Sequence, residues 1–539
     1  MSIRVEKKSS LIKIVLAAVL VLQIFCMIYY ANQKQGYFVD ELWSYGLSNS
    51  YYHPHVYSDD ALEQKWVSGE YFRNYLEVLP NQRFQYGSVI YNQTQDFHPP
   101  LFYMVLHTVC SLFPRTFSKW YGIIPNIAYF AVIDICLFYL AKKLFQKEWL
   151  ALIPVVIYGF SAGAISNVIY IRMYVLLTMF TLLLLNLHLR WIINEKIEKR
   201  EFLMLLVIPY MGYMSHYYFF VLAFFTAAFY CLYLIAGKKV TEMIKYGSTM
   251  FLGLFLVLFT FPTAYKKLFF DQRGSEAVQN LFHISSFLKG MERYWDIMGE
   301  GCFGKLQNIL VWMIIWCGFC MCVNCLWKKC ANNTSMSIRE ILNRMDTKNK
   351  KEFVSILFLI FVMVSYFMIV VKIAPYQVDR YIFAIYPIAI LVVLFLFWMV
   401  LRYWTSDQSA WKVILGLTVI LVLSGVSGKN VQYLYRDHKN NVKIMEQNSG
   451  ADCLYVTWDY YKLVGNALEL EHMGRVFTEV PDRIEELSHI LDPNKDKLIV
   501  YVDESFDQND ILEKICSAGG FHEWKQLFES RCIAYELIR

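Results

Sequence analysis

Two adjacent carboxylates, Asp40 and Glu41, follow the first long apolar run of the chain, in the segment Gly-Tyr-Phe-Val-Asp-Glu-Leu-Trp. Acidic side chains near a bilayer are costly to bury, so they usually mark a working site. A carboxylate held there can accept a proton from a reacting group, or it can supply oxygen ligands to a cation. The pair therefore predicts a functional site at the mouth of the apolar region.

The same polar segment ends in a run from Asp96 to Leu101 that reads Asp-Phe-His-Pro-Pro-Leu. The proline pair stiffens the backbone. Asp96 and His98 are therefore predicted to be held at a fixed place on the outer rim of the membrane, as the second part of the site.

Three later motifs combine an arginine or a histidine with tyrosine at the ends of predicted membrane spans. They are Arg172-Met173-Tyr174, His216-Tyr217-Tyr218 and Arg380-Tyr381. Each motif alone has an ordinary explanation as an interfacial anchor, an aromatic belt or a satisfied turn residue. Because all three are predicted on the same membrane face as Asp40, together they indicate a site.

The apolar composition shows which elements must position these residues. Hydrophobic residues make up 57% of the 539 and charged residues only 18%, which is more apolar surface than one soluble core can hide. The formal charge of +6 does not indicate nucleic acid as a partner, because the basic residues recur in short loops.

The predicted fold class is an α-helical polytopic membrane protein with about eleven transmembrane helices. The predicted spans are residues 14–31, 121–141, 149–169, 171–190, 202–217, 218–236, 248–265, 307–327, 353–373, 381–401 and 411–428.

The positions of basic residues predict which side each loop faces. Three lysines precede the first span, which predicts an uncleaved anchor with a cytoplasmic N-terminus. The apolar run at 101–113 is too short to cross, so it is predicted to lie along the outer surface. Counting it as a span would place the basic loops near Lys142 and Lys328 outside, against the positive-inside bias. The loop at 32–100 and the chain after about residue 428 are therefore predicted to be external.

A stripe of apolar residues in the first external loop predicts an amphipathic helix, which either lies in the interface or packs as an ordinary soluble helix. The residues of the stripe are Leu62, Trp66, Phe72, Leu76 and Leu79.

The tail of the chain changes character, because strand-like apolar runs alternate there with helical ones. This pattern predicts a small C-terminal α/β domain with a mainly parallel sheet. The predicted strands are 453–458, 475–480 and 497–502, and the predicted helices are 459–472, 482–491 and 509–518. The chain is thus divided into a membrane catalytic domain at 1–430, which includes the loop at 32–100, and an extracytoplasmic domain at 431–539.

Other motifs in the chain favour structural explanations. A Gly-x-Gly-x-x-Gly match from Gly299 to Gly304 lies in a predicted loop before a span, outside the strand–turn–helix frame of a dinucleotide site. The sequence contains no Walker loop and no His-Glu-x-x-His, so neither an ATP-driven pump nor a zincin is supported. The Cys-x-x-Cys spacings between Cys317 and Cys330 fall in a predicted span, which favours lipid-facing or packing cysteines over a zinc site, with S-acylation near Cys330 as the alternative.

The polar motifs are similar to those of a known family. The chain resembles the membrane-integral GT-C glycosyltransferases, in the branch of the protein O-mannosyltransferases and the lipid A aminoarabinose transferases (glycosyltransferase family 39-like). The resemblance rests on Asp40-Glu41 soon after the first span and on the His98-Pro-Pro-Leu segment that closes the first external loop. The arginine–tyrosine and histidine–tyrosine motifs follow in the order and spacing of such enzymes. The resemblance covers roughly residues 10–430, and the tail carries no diagnostic motif.

The resemblance implies a mannosyltransferase-like enzyme that uses a polyprenyl-phosphate sugar and inverts the anomeric carbon. Transfer to a hydroxyl needs a general base, for which Asp40 is predicted, with Glu41 orienting it or tuning its basicity. Arg172 and Arg380 are predicted to bind the lipid-borne phosphate, since guanidinium groups make bidentate contacts to phosphate oxygens. Asp96 is predicted to polarise the site or to help Asp40 hold a divalent cation, Mg²⁺ or Mn²⁺. Whether a metal is needed is left open.

The predicted substrate-binding set is Asp96, His98, Arg172, Tyr174, His216, Tyr217, Arg380 and Tyr381. The predicted partners are the donor, membrane lipid and an acceptor that is a glycan, a lipid or a protein, in the cell envelope. Two other functions compete with the enzyme: a transporter or flippase of lipid-linked glycans, and a catalytically dead receptor. Transporters often show internal repeats and polar residues at mid-bilayer, whereas the polar motifs here are predicted at the outer rim.

Overall fold

The structure is a computed structural model that describes residues 2–56, 62, 64–195, 197–271, 274–276, 279–280, 287–331 and 347–539. Most described residues are helical, as expected of an apolar chain that must satisfy its backbone hydrogen bonds internally in lipid. In chain order the helices are α1 (Ser2–Gln33), α2 (Val39–Asn49), α3 (Gly69–Leu76), α4 (Tyr86–Gln95), α5 (Leu101–Leu112), α6 (Trp120–Phe145), α7 (Glu148–Gly159), α8 (Ala162–Ile169), α9 (Tyr174–Asn194), α10 (Lys199–Ser215), α11 (Tyr218–Ala236), α12 (Val240–Thr260), α13 (Thr263–Phe269), α14 (Phe287–Cys302), α15 (Gln307–Ala331), α16 (Thr347–Ile373), α17 (Tyr386–Trp404), α18 (Asp407–Val426), α19 (Asn441–Gln447), α20 (Tyr461–Gly465), α21 (Ala467–Leu470) and α22 (Gln508–Gly519).

Among the described residues, eight helices are long and apolar enough to cross a membrane, so the protein is a multi-pass membrane protein. The helices α7 and α8 form a further pair, bent by 57°, which raises the number to nine if the pair is one span. The eight segments are Ser10–Gln33, Trp120–Phe145, Tyr174–Asn194, Tyr218–Ala236, Val240–Thr260, Lys350–Ile373, Phe383–Trp404 and Asp407–Val426.

The eight segments coincide with eight of the predicted spans, but the predicted number of eleven is not confirmed. The predicted span at 149–169 is the bent pair, which is interrupted where Ser161 caps the start of α8. The predicted span at 202–217 lies in α10, which has only 17 residues. The short predicted helix at 101–113 is present as α5, with 12 residues.

The chain forms two compact units. The helical unit contains Met1–Tyr30 and Ile124–Gln432, and the sheet unit contains Ala31–Ile123 and Tyr433–Arg539. The domain boundary that the sequence suggests at residues 430/431 stays a prediction, as does the side of the membrane that each loop faces.

The sheet unit contains one six-stranded sheet with the order β1-β3-β2-β4-β6-β5. The three predicted strands are confirmed as β2, β3 and β4, which are parallel to one another. The prediction of a mainly parallel sheet is wrong, because β1 pairs antiparallel with β3, β6 pairs antiparallel with β4, and β5 pairs antiparallel with β6. The strands are β1 (Val67–Ser68), β2 (Asp452–Val456), β3 (Arg475–Glu479), β4 (Lys497–Asp503), β5 (Glu523–Glu529) and β6 (Cys532–Ile538).

The predicted amphipathic helix over the stripe from Leu62 to Leu79 is shorter than expected. Among the described residues of this stretch, the α-helix is α3, which contains Phe72 and Leu76, and β1 precedes it. Trp66 packs against the apolar core of the sheet, and its ring lies 5.4 Å from that of Phe477. The burial of Trp66 by β3 therefore outweighs the helical spacing of the apolar residues.

Within the sheet unit, α2 makes close contacts with the neighbouring segments. The Asn49 Nδ2 atom at the end of α2 donates a hydrogen bond of 2.6 Å to the carbonyl oxygen of Leu76 at the end of α3. The helices α2 and α3 also approach closely at Gly46, where an added Cβ atom would lie 2.0 Å from the Tyr75 ring. The Tyr45 hydroxyl donates to the Ser118 carbonyl oxygen at 2.7 Å. The helix that carries Asp40 is thus fixed from several directions.

Candidate active site

Asp40 and Glu41 lie in the first turn of α2, for which Phe38 is the N-cap. Glu41 is fully buried, and its Oε2 atom accepts hydrogen bonds from the Phe38 backbone N–H at 2.7 Å and from Lys34 Nζ at 2.9 Å. Successive residues of an α-helix are about 100° apart around its axis, so Asp40 lies on a different face, where it is half-buried. The structure thus separates the two acids into a buried, ion-paired carboxylate and a more accessible one.

The tyrosine beside these acids, Tyr37, is unsuited to act as a base. Burial, and next to it the negative charge of Glu41, raise the pKa of Tyr37 well above its ordinary value. Its hydroxyl therefore stays protonated at neutral pH. Among these neighbours Asp40 remains the side chain with the chemistry of a general base.

Asp96 and His98 form a pair next to α2. Asp96 is the C-cap of α4, and its Oδ2 atom lies 2.9 Å from His98 Nδ1. One turn earlier, the Nδ2 atom of Asn92 donates to the carbonyl oxygens of Leu47 and Ser50, which ties α4 to α2. A carboxylate next to an imidazole orients the ring. The pair can therefore present a ring of fixed orientation to a substrate.

Aromatic rings pack around Trp43, one turn beyond Asp40 on α2. The Trp43 ring lies 5.4 Å from that of His55, 6.1 Å from that of Tyr75 and 5.7 Å from that of Tyr461. Tyr461 begins α20, in the C-terminal part of the sheet unit. The bulky residues that follow the acids are thus packing residues that help to fix α2.

In the helical unit, the histidine and tyrosine motifs meet through their rings. The Tyr174 ring lies 5.2 Å from that of His216 and 6.3 Å from that of Tyr381. The Tyr218 ring lies 4.9 Å from that of His216 and 5.4 Å from that of Tyr381. The Tyr218 backbone N–H donates to His216 Nδ1 at 2.9 Å, which orients the imidazole. Three motifs that are far apart in the sequence therefore form one cluster.

The two arginines of these motifs are buried, with 4% of Arg172 and 8% of Arg380 exposed. The Arg172 backbone N–H donates to the Tyr170 carbonyl oxygen at 2.8 Å in the turn before α9. The Arg380 backbone N–H donates to Asp379 Oδ1 at 2.8 Å, and its guanidinium lies 5.4 Å from the centre of the Tyr381 ring. A buried cation needs polar or anionic partners, and guanidinium groups suit phosphate.

No family model and no curated protein matches the chain. Solved structures match it over nearly its whole length. ArnT from Cupriavidus metallidurans in the apo state has a TM-score of 0.52 at 9% identity, over 96% of this chain and 97% of that chain. The same protein bound to undecaprenyl phosphate has a TM-score of 0.51 at 8% identity, over the same shares. The archaeal oligosaccharyltransferase AglB from Archaeoglobus fulgidus, in complex with an inhibitory peptide and a dolichol-phosphate, has a TM-score of 0.47 at 9% identity, over 97% of this chain and 74% of that chain.

The chain has the GT-C fold. The fold class expected from the motif resemblance is thereby confirmed. The residues that the sequence suggested for a GT-C site fall into a group in the sheet unit and a group in the helical unit. The first contains Asp40, Glu41, Asp96 and His98, and the second contains Arg172, Tyr174, His216, Tyr217, Arg380 and Tyr381. Their roles in catalysis or substrate binding stay predictions.

The divalent cation suggested for Asp40 and Asp96 also stays a prediction. Among the residues that the structure describes, no three His, Cys, Asp or Glu side chains are grouped closely enough to hold a metal ion. The Asp96 carboxylate contacts the imidazole of His98.

The structure places the glycine and cysteine motifs in or next to helices. Gly299 lies within α14, so a helix precedes the motif where a dinucleotide site requires a strand, and Gly304 has a φ of +57° in the turn that follows. Cys317 and Cys320 are free, half-buried thiols in α15. The side chain of Cys330, the suggested acylation site, lies outside the described residues.

Several residues near the predicted site have no signal in the sequence. The Tyr366 hydroxyl donates to the Tyr381 carbonyl oxygen at 2.9 Å, and the Tyr294 hydroxyl donates to that of Tyr376 at 2.8 Å. Tyr366 is one aromatic residue among many in the apolar helix α16, so no spacing distinguishes it. Lys34 directly follows α1, and at such a position an interfacial anchor is the usual interpretation.

Proposed function

We propose that this protein transfers a sugar from a polyprenyl-phosphate donor to a hydroxyl of an acceptor on the outer face of the cell membrane. The observation that carries the proposal is the full-length structural similarity to ArnT bound to undecaprenyl phosphate. The residue types at the candidate site support it, because the reaction needs a base for the acceptor and cations for the phosphate.

In the proposed reaction, the acceptor oxygen attacks the anomeric carbon while the bond between this carbon and the phosphate oxygen breaks. Polyprenyl phosphate leaves with the electron pair of that bond, and a single displacement inverts the anomeric centre. Asp40 takes the proton of the acceptor hydroxyl. Glu41 is not the base in this scheme, because its Oε2 atom already binds Lys34 and the Phe38 N–H.

Arg172 and Arg380 bind the phosphate in the proposed reaction, and they stabilise the negative charge that grows on it as the bond breaks. The predicted substrate-binding residues Tyr174, His216, Tyr217 and Tyr381 supply further hydrogen-bond donors in the helical unit. The pair of Asp96 and His98 orients the substrate in the sheet unit.

Substitution Asp40→Asn tests the base. Asparagine keeps the size of the side chain but cannot accept a proton at neutral pH, so the transfer rate should fall about 100- to 10,000-fold. The purified protein is incubated with lipid-linked sugars extracted from the source membrane, and release of polyprenyl phosphate is followed by mass spectrometry. Binding of undecaprenyl phosphate should stay within a factor of about 3, since the phosphate contacts are unchanged. The matched control is Asp482→Asn, at an exposed acid of the sheet unit, and full activity of Asp40→Asn would disprove the base assignment.

Two further measurements separate the enzyme from a transporter and establish the side. Reconstituted liposomes in which the donor crosses the bilayer while no acceptor is modified would favour a transporter. For the side, Gln35→Cys places a thiol at an exposed position near Asp40. If the proposal is right, a membrane-impermeant maleimide labels the Gln35→Cys variant in intact cells more strongly than it labels the parent chain. If the extra labelling appears only after the cells are permeabilised, the site does not face outward.

A further inference from the structure

Lys34 is a buried cation six residues before Asp40. Its side chain has no solvent-exposed surface, and neither has that of its partner Glu41. Lys34 Nζ donates to Glu41 Oε2 at 2.9 Å and to the Tyr433 carbonyl oxygen at 2.8 Å. The Nζ atom also lies 5.4 Å from the ring centre of Tyr37 and 5.6 Å from that of Tyr435. The ammonium group is thus surrounded by a carboxylate, a carbonyl oxygen and two ring faces.

These contacts join the segment between α1 and α2, including the first turn of α2, to the segment at 433–435, about 400 residues later in the chain. Around them, the Lys119 Nζ atom donates to the Lys34 carbonyl oxygen at 2.7 Å, and the Gln35 N–H donates to the Leu434 carbonyl oxygen at 2.8 Å. Gly36 leaves no room for a side chain, since an added Cβ atom would lie 2.8 Å from Tyr435 Cβ. The segment before α2 therefore has little freedom to move.

The same carboxylate oxygen links this arrangement to the helix that carries Asp40. Glu41 Oε2 accepts both the Lys34 ammonium and the Phe38 backbone N–H, so Lys34 acts on the residue that starts the helix. In addition, the Arg531 guanidinium lies 4.9 Å from the ring centre of Phe38. The Glu41 side chain is fixed in the interior and Phe38 is fixed at the N-cap of α2. Helix geometry then determines the direction in which the Asp40 side chain leaves the helix.

Burial of two opposite charges adds little to the stability of a fold, because both groups lose their hydration. A buried ion pair is often no more stabilising than an apolar pair of similar volume, whereas loss of one partner leaves an uncompensated charge. Burial lowers the pKa of Lys34, while the charge of Glu41 and the hydrogen bond to it act in the other direction. Fold stability alone therefore does not account well for a buried pair of this kind next to the proposed base.

We infer that Lys34 is a positioning residue for the proposed transfer reaction, and that it fixes the orientation of Asp40 through Glu41. This inference rests on the proposed function, in which Asp40 is the base. Lys34 itself touches neither the donor nor the acceptor. Because catalysis needs reacting atoms in near-attack geometry, a small shift of Asp40 should lower the rate about 10- to 100-fold.

A double-mutant series separates positioning from stability. Lys34→Met leaves the Glu41 carboxylate buried without its ammonium, and Glu41→Gln leaves the ammonium buried without its carboxylate, so each single variant should lower the unfolding temperature. The double variant K34M/E41Q has neither buried charge, and its Gln amide oxygen can still accept the Phe38 N–H. Its unfolding temperature should therefore return most of the way to that of the parent chain.

The deciding measurement is kcat of the folded double variant. We expect kcat to stay reduced by about 10-fold or more while the affinity for undecaprenyl phosphate changes by less than about 3-fold. A control pair, K462M/D503N, removes another ion pair of the sheet unit, in which Lys462 Nζ lies 2.7 Å from Asp503 Oδ1, and it should leave kcat unchanged once folded. If K34M/E41Q has the kcat of the parent, Lys34 is only structural and the inference is wrong.

Asp40→Asn is assayed in parallel, so that failure of this inference can be told from failure of the proposed function. An active Asp40→Asn variant would refute the assignment of Asp40 as the base. An inactive Asp40→Asn variant together with a fully active K34M/E41Q variant would refute only the role of Lys34.

Discussion

Substitution Glu469→Gln should change how the stability of the sheet unit depends on pH. Glu469 lies in α21 and is 7% exposed. Burial raises the pKa of its carboxyl from 4.5 to about 7, and the nearby Glu471 adds to the increase. Burial likewise raises the pKa of Glu471 to about 7, although the guanidinium of Arg73 opposes this change. The folded sheet unit therefore binds these protons more tightly than the unfolded chain does.

The sign of the pH dependence follows from this comparison. Below pH 4.5 these carboxyls are protonated in both states, and their contribution to stability is fully present. As the pH rises from 4.5 to about 7, the unfolded chain releases the protons first, so this contribution is lost. For one carboxyl group the loss amounts to about 3 kcal/mol. Because the two acids are coupled, their joint loss is smaller than twice this value.

Glu469→Gln removes the contribution of Glu469 to this loss of stability, so between pH 5 and pH 8 the variant should gain about 2.5 kcal/mol relative to the parent chain. The assay is urea unfolding of the sheet unit in detergent, followed by tryptophan fluorescence, with parent and variant measured at both pH values. Glu513→Gln is the control, at an exposed position of α22, and it should follow the parent. A constant difference between Glu469→Gln and the parent at pH 5 and pH 8 would refute the reasoning.

Two further substitutions test the packing. Trp66→Ala removes a ring 4.6 Å from the Arg475 guanidinium that also packs on the sheet core, so urea unfolding should show a loss of about 3 kcal/mol; Trp524→Ala, at a more exposed ring on β5, should cost much less. Asp134→Ala removes a fully buried carboxyl of α6 whose oxygens have no hydrogen-bond partner among the described residues. Since burial of an unsatisfied polar group costs about 1–3 kcal/mol, the thermal unfolding temperature should rise, and a lower one would show that the carboxyl has a stabilising partner.

The membrane architecture could be predicted from the sequence because lipid imposes a length and a composition on each span. The predicted spans at 121–141 and 353–373 correspond to α6 and α16 for this reason. The count was less predictable, since a break in a helix depends on local capping. Ser161 interrupts the predicted span at 149–169, and its side chain accepts from the Ala164 N–H at the start of α8.

In the tail, the strands with continuous apolar runs were predictable, and those without them were not. All five residues of β2 are buried, so its apolar run is visible in the sequence. By contrast, β5 is mostly exposed and carries charged residues, and β1 has only two residues, which pair with β3 some 400 residues later in the chain. A pairing between such distant segments leaves no local pattern.

The types of residue that the proposed chemistry needs were determined by the sequence alone. The acid pair Asp40-Glu41, the Asp96–His98 segment and the arginine–tyrosine motifs all stand in the primary structure, and a motif comparison can find them. Which acid is accessible was decided only by the tertiary structure, because burial of Glu41 requires the ammonium of Lys34 and the carbonyl oxygen of Tyr433. The spacing of residues in the sequence determines on which face of a helix a side chain lies. Whether that face is buried depends on residues from elsewhere in the chain that pack against it.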